Sequence, residues 1–577
     1  MRKLLVLCLL LTLGLPAAPA SAQAYQGRPK LVLLLIIDQF RGDYLDRYRD
    51  ALTAPNGFNL FLRRGAYFSN CYFDYANTKT APGHATIGTG AYSDGHGIAS
   101  NEWWDLTRNT DRVISSVEDE RYRLVGAFDD LPPSPPGTPQ PTDPRIGASP
   151  RNLLATTLGD EVRLATGGRA RLFGISLKDR ASILPSGQTA NAAYWIDQAT
   201  GRFVTSTFYM PQLPAWVKAF NRGARPAQAI REAGLEGPTT QFYALVGRTP
   251  AANSYELDFA QALIQNEKLG TGPVTDVLTV SLSANDILGH QLGPDADSER
   301  AMVLALDRQL DAFFTALDTT VGLANVTIAF TADHGVAPIP ATAAALGINA
   351  ARIDLDALSA ALDTILLKRL APAADPAPGR PGVQRNSAVH FLLPTQELPY
   401  LQLNPAAFGT LSEREAEQAV ADALPEALRL LAPPALPPSN NATRESSRAF
   451  AESRLDPTPA FAFIRGRVDL ADGKIPATEF GRLIAHSFSR NGGWYVMAVP
   501  IAYQMELLGN IQTTHFSPWS YDRHVPLGFF GAAFSPGIYR QPVAPVDIAA
   551  TLASLLGVNR PSAAVGQVVT FALKPTP

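Results

Sequence analysis

Three short apolar segments, each followed by an aspartate, constrain this 577-residue chain more than any other feature of its sequence. They are residues 31–37 followed by Asp38, 277–283 followed by Asp286, and 326–331 followed by Asp333. Uninterrupted runs of Leu, Ile and Val are typical of strands in a parallel sheet, because helices cover both faces of such a sheet. Ligands bind beyond the carboxyl ends of these strands. We therefore expect the three carboxylates to meet at one edge of an α/β sheet.

Two of these aspartates have a histidine nearby in the sequence. His290 follows Asp286 by four residues, so a helical turn would place both side chains on one face, where they can bind one cation. His334 follows Asp333 directly, so this pair either holds one ion in a loop or contacts two. Carboxylate and imidazole donors without thiolate favour Zn²⁺ or Mn²⁺. The pattern predicts a metal site, and two ions about 4 Å apart suit phosphoryl transfer.

Thr80 is the candidate nucleophile for such a site. Pro82 suits the first turn of a helix that begins here, and a helix start presents free N–H groups and a positive dipole to an anion. The structural alternative is an N-cap that only satisfies a backbone donor. A threonine hydroxyl needs a metal or a base to react, and the strand-end carboxylates would supply the metal. Three further side chains are candidate donors to phosphoryl oxygens: Asn101, Lys178 and Arg180.

The N-terminal segment 1–22 has the pattern of a secretory signal. Two basic residues precede an apolar stretch over 4–15, and the small residues at 20–22 predict cleavage after Ala22. The apolar stretch is too short to span a bilayer. We expect an exported protein, periplasmic or secreted, without a membrane anchor.

The overall charge argues against nucleic acid as a partner. The formal net charge is −3 for the whole chain and about −5 without the signal, which carries two basic and no acidic residues. Blocks of Lys and Arg of the kind that bind nucleic acid are absent from the sequence.

Three proline-rich stretches interrupt the chain, at residues 131–150, 371–381 and 432–441. They cannot form regular structure and indicate excursions from the core. We predict one catalytic unit over 23–577, with an inserted cap at about 106–273 and a smaller subdomain at about 338–499. Helices are predicted at about 298–319 and at 546–557.

Seven segments carry a resemblance to a known family: Asp38 after an apolar strand, Thr80 in Thr-x-Thr-x-Pro-Gly-His-Ala, Asn101 in Ala-Ser-Asn-Glu-Trp-Trp, Lys178-Asp179-Arg180, Asp286-x-x-x-His290, Asp333-His334-Gly335 and Thr514-His515-Phe516-Ser517-Pro518. Together they resemble the bacterial alkaline phosphatases with a threonine nucleophile. This branch of the alkaline phosphatase superfamily is related to the nucleotide pyrophosphatase/phosphodiesterases. The segments span nearly the whole mature chain, while the regions between them match only loosely. The resemblance implies a three-layer α/β sandwich with a mixed, mostly parallel central sheet and an inserted cap.

The same resemblance implies two zinc ions per chain, while Ca²⁺ or Mn²⁺ as additional ions is left open. One zinc ion would be held by Asp38, Asp333 and His334, with Thr80 as a further ligand that it activates. The other, which faces the leaving oxygen, would be held by Asp286, His290 and His515.

The resemblance also implies a reaction and a substrate class. Thr80 attacks phosphorus and becomes phosphorylated, and water then releases phosphate. Asn101, Lys178 and Arg180 contact the non-bridging oxygens, an arrangement suited to small phosphate monoesters.

One segment departs from the family pattern. Phe516 stands where the family usually has glycine after the last histidine ligand, and His524 lies close by in the sequence. We prefer His515 as the ligand and keep His524 as the alternative.

Two other functions remain possible at this stage, and a third is disfavoured. A phosphodiesterase or nucleotide pyrophosphatase would use the same scaffold. A non-catalytic exported protein that binds metal or phosphate could also use this fold. The hydroxyl group of Thr80 argues against it, because a binding protein needs no nucleophile. A sulfatase is disfavoured, because the Cys/Ser-x-Pro-x-Arg signature of that class is absent from the sequence.

Overall fold

The computed structural model describes residues 28–106, 112–127, 145–370, 389–431, 459–488, 493–506, 509 and 511–574. The predicted signal peptide and the proline-rich stretches at 371–381 and 432–441 lie outside these residues, as does most of the stretch at 131–150. The described part is built on an eleven-stranded sheet. From one edge to the other its strands are Gly537–Tyr539, Ala66–Phe68, Leu527–Phe530, Val326–Thr331, Leu31–Ile37, Asp276–Leu282, Leu172–Ser176, Ala192–Ile196, Phe203–Ser206, Glu118–Val125 and Ile146–Ala148.

The sheet is mixed, and its parallel part lies at the centre. The five strands from Val326–Thr331 to Ala192–Ile196 are all parallel to one another. Toward both edges the pairing is antiparallel, apart from the parallel pair at Gly537–Tyr539 and Ala66–Phe68. The prediction of an α/β fold with a mixed sheet is confirmed, and the parallel strands are the ones that carry the apolar runs. The sheet is mostly parallel only at its centre, since five of its ten strand pairings are antiparallel.

Burial explains why those runs have no polar alternation. Every residue of Leu31–Ile37 is at most 2% exposed, so neither face of this strand meets water. Its register pairs Ile37 with Leu282 and Ile36 with Thr331. The carboxyl ends of three parallel strands therefore lie at one level, which brings the residues that follow them together.

Helices cover the sheet in two groups, each of which packs within itself. One group comprises Pro250–Asn266, Ala284–Leu292 and Asp297–Thr320, and the other comprises Thr80–Thr89, Ser93–His96, Leu158–Ala165, Asp179–Ile183 and Asp547–Leu556. The predicted helices at 298–319 and 546–557 are confirmed by Asp297–Thr320 and Asp547–Leu556. In the described part of the chain, no helix combines the length and the apolar character needed to cross a membrane.

A second hydrophobic core lies within residues 353–498. It joins the helices Leu355–Leu370 and Glu413–Leu431 to a three-stranded sheet of Tyr400–Gln402, Tyr495–Pro500 and Phe461–Gly466. This core supports the proposal of a smaller subdomain at about 338–499.

The region proposed as a cap, 106–273, contributes five strands to the edge of the central sheet, from Leu172–Ser176 outward.

Glu506, in the short strand Gln504–Glu506, carries a pH-dependent part of the stability. Its Oε2 accepts a hydrogen bond from the Leu398 N–H at 2.7 Å, and burial together with the Glu397 carboxylate raises its pKa to about 8. The folded chain keeps this proton up to about pH 8, whereas the unfolded chain releases it near the ordinary value of 4.5. The free energy of unfolding therefore falls as pH rises from 4.5 to 8.

We expect Glu506→Gln to flatten this part of the stability curve and to exceed the wild type in stability above pH 8. Urea unfolding at a series of pH values measures how the free energy of unfolding changes with pH in the wild type and in Glu506→Gln. Parallel curves for the two proteins would contradict the assignment.

Candidate metal centre and phosphate site

The three predicted carboxylates meet at the carboxyl edge of the parallel strands. Asp38 directly follows its strand, and its backbone N–H donates to the Leu282 carbonyl oxygen at 3.0 Å. Asp286 lies in the first turn of the helix that follows the neighbouring strand. Asp333 lies two residues after the strand on the other side. All three are at least 96% buried, so the edge holds three carboxylates away from water.

Asp286, His290 and His515 form the first group of candidate metal ligands. Asp286 Oδ1 lies 3.2 Å from His290 Nε2 and 3.8 Å from His515 Nε2. Ligands about 2 Å from one tetrahedral ion are separated by roughly 3.4 Å, so this spacing fits a shared ion. The group contains the three residues that the sequence assigns to the second zinc ion.

The second group surrounds His334. Its Nε2 lies 3.5 Å from Asp38 Oδ1 and 3.3 Å from Asp333 Oδ2. Donor atoms of Asp38, Asp286 and His334 all lie within 4.8 Å of one another, as do those of the first group. The family resemblance implies that Asp286 binds one ion only, whereas in the structure its carboxylate belongs to both groups.

All three histidines of these groups use Nδ1 for a hydrogen bond to a backbone carbonyl oxygen. The pairs are His290 with Thr513 at 2.9 Å, His334 with Gly335 at 3.0 Å, and His515 with Thr78 at 2.5 Å. A carbonyl only accepts, so Nδ1 carries the proton and Nε2 keeps its lone pair. Metal-binding histidines are oriented in this way by their surroundings.

Among the described residues, several buried atoms at this edge have no hydrogen-bond partner, and three of them belong to the predicted ligands: Asp38 Oδ1, Asp333 Oδ2 and His334 Nε2. Buried acceptors without a donor are costly. Burial lowers the pKa of His334, so its imidazole stays neutral, the form that binds metals. Because all three atoms offer electron pairs, the residues present fit a divalent cation such as zinc.

Lys178 lies among the carboxylates. Its Nζ donates to Asp38 Oδ2 at 2.6 Å and to Asp286 Oδ2 at 2.5 Å. Burial would raise the pKa of Asp286, but Lys178 and His290 hold it well below its ordinary value. Burial and the carboxylates of Asp286 and Asp333 raise the pKa of Asp38. The ammonium group therefore balances part of the negative charge at the site.

Thr80 begins the buried helix Thr80–Thr89. The helix lies so close to the Asp333 segment that a Cβ at Gly83 would be 2.4 Å from the Asp333 carbonyl oxygen, so this approach requires glycine. His84 Nδ1 donates to the Thr80 carbonyl oxygen at 2.8 Å and lies 3.2 Å from Asp333 Oδ2. These contacts fix the start of the helix beside one of the strand-end carboxylates.

Asn101 and Arg180 line one cavity of about 260 Å³. Asn101 Oδ1 accepts a hydrogen bond from the Ala81 N–H at 2.8 Å, which leaves its NH₂ group as the part that can donate to an anion. Arg180 Nε is buried and has no partner within the described residues. Two of the three predicted phosphate donors thus face a common space near the helix that Thr80 begins.

The structure separates His515 from its alternative, His524. The His524 ring stacks on Tyr72 with 4.5 Å between centroids, and its Nε2 donates to the Ser69 carbonyl oxygen at 3.1 Å. It belongs to neither group of donors. Phe516 has φ 93°, a backbone conformation that favours glycine, the residue that the family resemblance leads us to expect here.

Gln39 is a site residue that the sequence reasoning missed. It is fully buried, with φ 60°, and its backbone N–H donates to Asp333 Oδ1 at 3.1 Å. Its side-chain Nε2 donates to Asp286 Oδ1 at 2.9 Å. Gln39 therefore connects carboxylates from two different strand ends. An amide side chain directly after a strand-end aspartate was the only signal in the sequence.

Gln39→Leu is expected to weaken metal binding, with zinc as the probe, by about 10- to 100-fold, because the Asp286 carboxylate loses one of the two donors that orient it, the other being Lys178. Competition with a chelator measures the zinc affinity. Gln309→Leu is the matched control, since the Gln309 amide bonds Pro250 and Ser254 away from the site. Equal zinc affinity in wild type and Gln39→Leu would contradict this role.

The comparisons with known proteins agree with this geometry. Residues 32–422 match the family model described as type I phosphodiesterase / nucleotide pyrophosphatase. The chain belongs to this family. Two of its relatives are similar over nearly the whole length: a protein of Myroides odoratus named calcium-transporting ATPase, 30% identical over 95% of each chain, and alkaline phosphatase PafA of Elizabethkingia meningoseptica, 30% identical over 94% of each chain.

A solved structure extends the similarity to the fold. The crystal structure of wild-type alkaline phosphatase PafA superimposes with a TM-score of 0.73 at 28% identity, covering 95% of this chain and 99% of that one. The predicted resemblance to the alkaline phosphatases is confirmed, as is the prediction of an alkaline phosphatase enzyme.

Proposed function

We propose that this protein hydrolyses phosphate monoesters at a two-zinc site through a phosphothreonine at Thr80. The observation that carries the proposal is the position of two carboxylate–imidazole groups, joined by Asp286, beside the start of a buried helix. Zinc would be held by Asp38, Asp333 and His334 and by Asp286, His290 and His515. When bound, it would stabilise negative charge on the attacking and departing oxygens.

The remaining chemistry belongs to the side chains. Thr80 Oγ forms a bond to phosphorus as its proton passes to solvent, the bond from phosphorus to the leaving oxygen breaks, and the leaving oxygen takes up a proton from solvent to depart as the alcohol. Water then attacks phosphorus and loses a proton, the bond from phosphorus to Thr80 Oγ breaks, Thr80 Oγ takes up a proton, and phosphate departs. The N–H groups of the helix start, together with Asn101 and Arg180, hold the non-bridging oxygens in both steps. Lys178 would add a third side-chain donor, the second with a positive charge, once cations share the carboxylates of Asp38 and Asp286 that it now neutralises.

We also propose export after cleavage behind Ala22, on the basis of the signal pattern in residues 1–22. Mass spectrometry of the protein from its native cells should give a mature N-terminus at Gln23.

A second candidate function is hydrolysis of phosphodiesters, which the description of the family model favours. The Lys178 and Arg180 pair argues for monoesters, because a monoester dianion has more charge and one more non-bridging oxygen than a diester. Comparing kcat/KM for phenyl phosphate with kcat/KM for its diester, diphenyl phosphate (bis-phenyl phosphate), decides between the two functions. A higher kcat/KM for the diester would remove the monoesterase assignment.

Arg180→Ala is expected to lower kcat/KM for phenyl phosphate by about 10- to 100-fold, the effect of losing a charge-assisted hydrogen bond. The same variant should change kcat/KM for bis-phenyl phosphate by less than about threefold, since the diester lacks the extra charge. Arg63→Ala is the control, because Arg63 is exposed and bonds Asn59. An equal loss for both substrates would refute a role specific to monoesters.

A further inference from the structure

The cavity beside Asn101 and Arg180 has walls that the reaction leaves unexplained. Most of its lining comes from residues 99–104 and from residues within 395–402, and Val113, Arg180 and Tyr495 complete it. The first segment follows the helix that begins at Thr80, and the second belongs to the region of the second core. The cavity therefore lies where the two parts of the chain meet.

This cavity adjoins the proposed phosphoryl site. Asn101 and Arg180, the proposed donors to the phosphoryl oxygens, line it and are less buried than Thr80 and Lys178, which are 2% and 5% exposed. Asn101 also accepts a hydrogen bond from the Ala81 N–H, next to Thr80. The organic part of a substrate can therefore extend into the space that Asn101 and Arg180 share.

We propose that this cavity is a subsite for the organic group of the substrate, and that it takes one neutral, hydroxylated ring, as in a monosaccharide phosphate. The inference rests on the proposed monoesterase function. It adds to that function the class of leaving group that the enzyme prefers.

The need for hydroxyl donors follows from Gln402. This residue is 8% exposed and lines the cavity, and its Oε1 has no hydrogen-bond partner among the described residues. Its backbone is anchored to Gln396, whose Oε1 accepts from the Gln402 N–H at 2.6 Å and whose Nε2 donates to the Gln402 carbonyl oxygen at 3.2 Å. A buried amide oxygen without a donor is costly, and a hydroxyl group of the ligand would satisfy it.

A carboxylate adds to the acceptors of the cavity. Glu102 and Glu397 line it together with Arg180, and Glu397 is paired with the buried Lys79 ammonium. The Glu102 carboxylate accepts hydrogen bonds from hydroxyl groups and repels a further phosphate placed beside it. The acceptors at Gln402 and Glu102 therefore match a polyol.

Size and aromatic lining favour a single ring. The volume of about 260 Å³ is below the range of about 300–1,000 Å³ that is typical of pockets for larger ligands. Four aromatic side chains contribute to the lining: Trp103, Trp104, Tyr400 and Tyr495. An aromatic face packs well against the C–H face of a sugar ring, so the walls combine apolar contact with acceptors.

The wall formed by residues 395–402 is attached to the nucleophile helix. Lys79 directly precedes Thr80, is fully buried, and its Nζ donates to Glu397 and to Ser100 Oγ. Ser100 Oγ also donates to Glu397 Oε2 at 2.7 Å, and the Lys79 ammonium lies 4.4 Å from the Phe516 ring centroid. These contacts hold the subsite at a fixed distance from the reacting hydroxyl.

Two substrates with the same ring size test the inference: glucose 6-phosphate and cyclohexylmethyl phosphate, which lacks the hydroxyl groups. We expect the wild type to have at least about a tenfold higher kcat/KM for the sugar phosphate. Gln402→Leu should lower that value about tenfold and leave cyclohexylmethyl phosphate within about twofold. Gln402→Glu, which keeps an acceptor, should retain the preference for the sugar.

Several outcomes would overturn the inference. Equal kcat/KM values of the wild type for the two substrates would do so, as would an equal loss for both in Gln402→Leu. Faster hydrolysis of phosphoethanolamine than of glucose 6-phosphate would show that the cavity prefers a cationic organic group to a hydroxylated ring. Failure to hydrolyse any of these monoesters would refute the proposed function itself, which separates the two failures.

Discussion

Thr80→Ala is expected to lower phosphatase turnover by about 10³-fold or more, while the zinc content stays at the wild-type level. The variant loses the only atom that accepts the phosphoryl group in the proposed reaction, and losses of this size follow removal of a catalytic nucleophile. The helix start keeps its position, because His84 and Gly83 contact the Asp333 segment independently of the hydroxyl. Acid-quenched samples with radiolabelled substrate should contain phosphothreonine only in the wild type.

Two variants in the same helix serve as controls for this prediction. Thr80→Ser keeps a hydroxyl and should form the labelled intermediate. Thr89 lies nine residues after Thr80, and its hydroxyl donates to the Ala85 carbonyl oxygen within the helix. Thr89→Ala should therefore keep most of the turnover. Unchanged turnover in Thr80→Ala would refute the nucleophile assignment.

Asp286→Ala is expected to abolish binding of both zinc ions, because its carboxylate belongs to both groups of donors. His290→Ala should affect mainly one ion, since His290 belongs to the first group alone. Elemental analysis after dialysis measures zinc per chain in each variant, and turnover should fall together with the zinc content.

Asp295→Ala is the control for Asp286→Ala, because Asp295 pairs with Arg47 in an exposed position. Chelation of the wild type should reproduce the inactivity of Asp286→Ala, and added zinc should restore only the wild type. Full turnover in a chelated, zinc-free wild type would contradict a metal-dependent reaction.

The sequence predicted the sheet centre and the meeting of the carboxylates well, for a physical reason. Strands covered on both faces need continuous apolar runs, and parallel strands in register place the residues that follow them at one level. The positions of Asp38, Asp286 and Asp333 follow from these two facts. Histidines near the aspartates in sequence, such as His290 and His334, were identified for the same reason.

Features that depend on contacts between distant segments could not be predicted in this way. The shared position of Asp286 depends on how its helix is oriented against Lys178, which lies 108 residues away in the sequence. Gln39 gains its role only when Asp333 is placed beside it. The antiparallel edges of the sheet consist of short strands such as Ala66–Phe68, whose sequences carry no distinctive periodicity.

The cavity lining shows the same limit. Gln402 and Glu397 lie about 300 residues from Asn101 in the sequence, and their surroundings in the chain give no functional motif. The contacts of Glu397 with Lys79 and Ser100 show that this segment lies beside the nucleophile helix. A site assembled from two distant parts of a chain can therefore be identified from the structure, whereas the sequence alone gives no signal for it.

Anomalous diffraction at the zinc absorption edge, from crystals of the active enzyme, tests the central claim most directly. The account predicts two peaks, one about 2 Å from His290 Nε2 and the other about 2 Å from His334 Nε2, with Asp286 within reach of both. An active enzyme whose crystals show zinc elsewhere, or no zinc at all, would contradict the account.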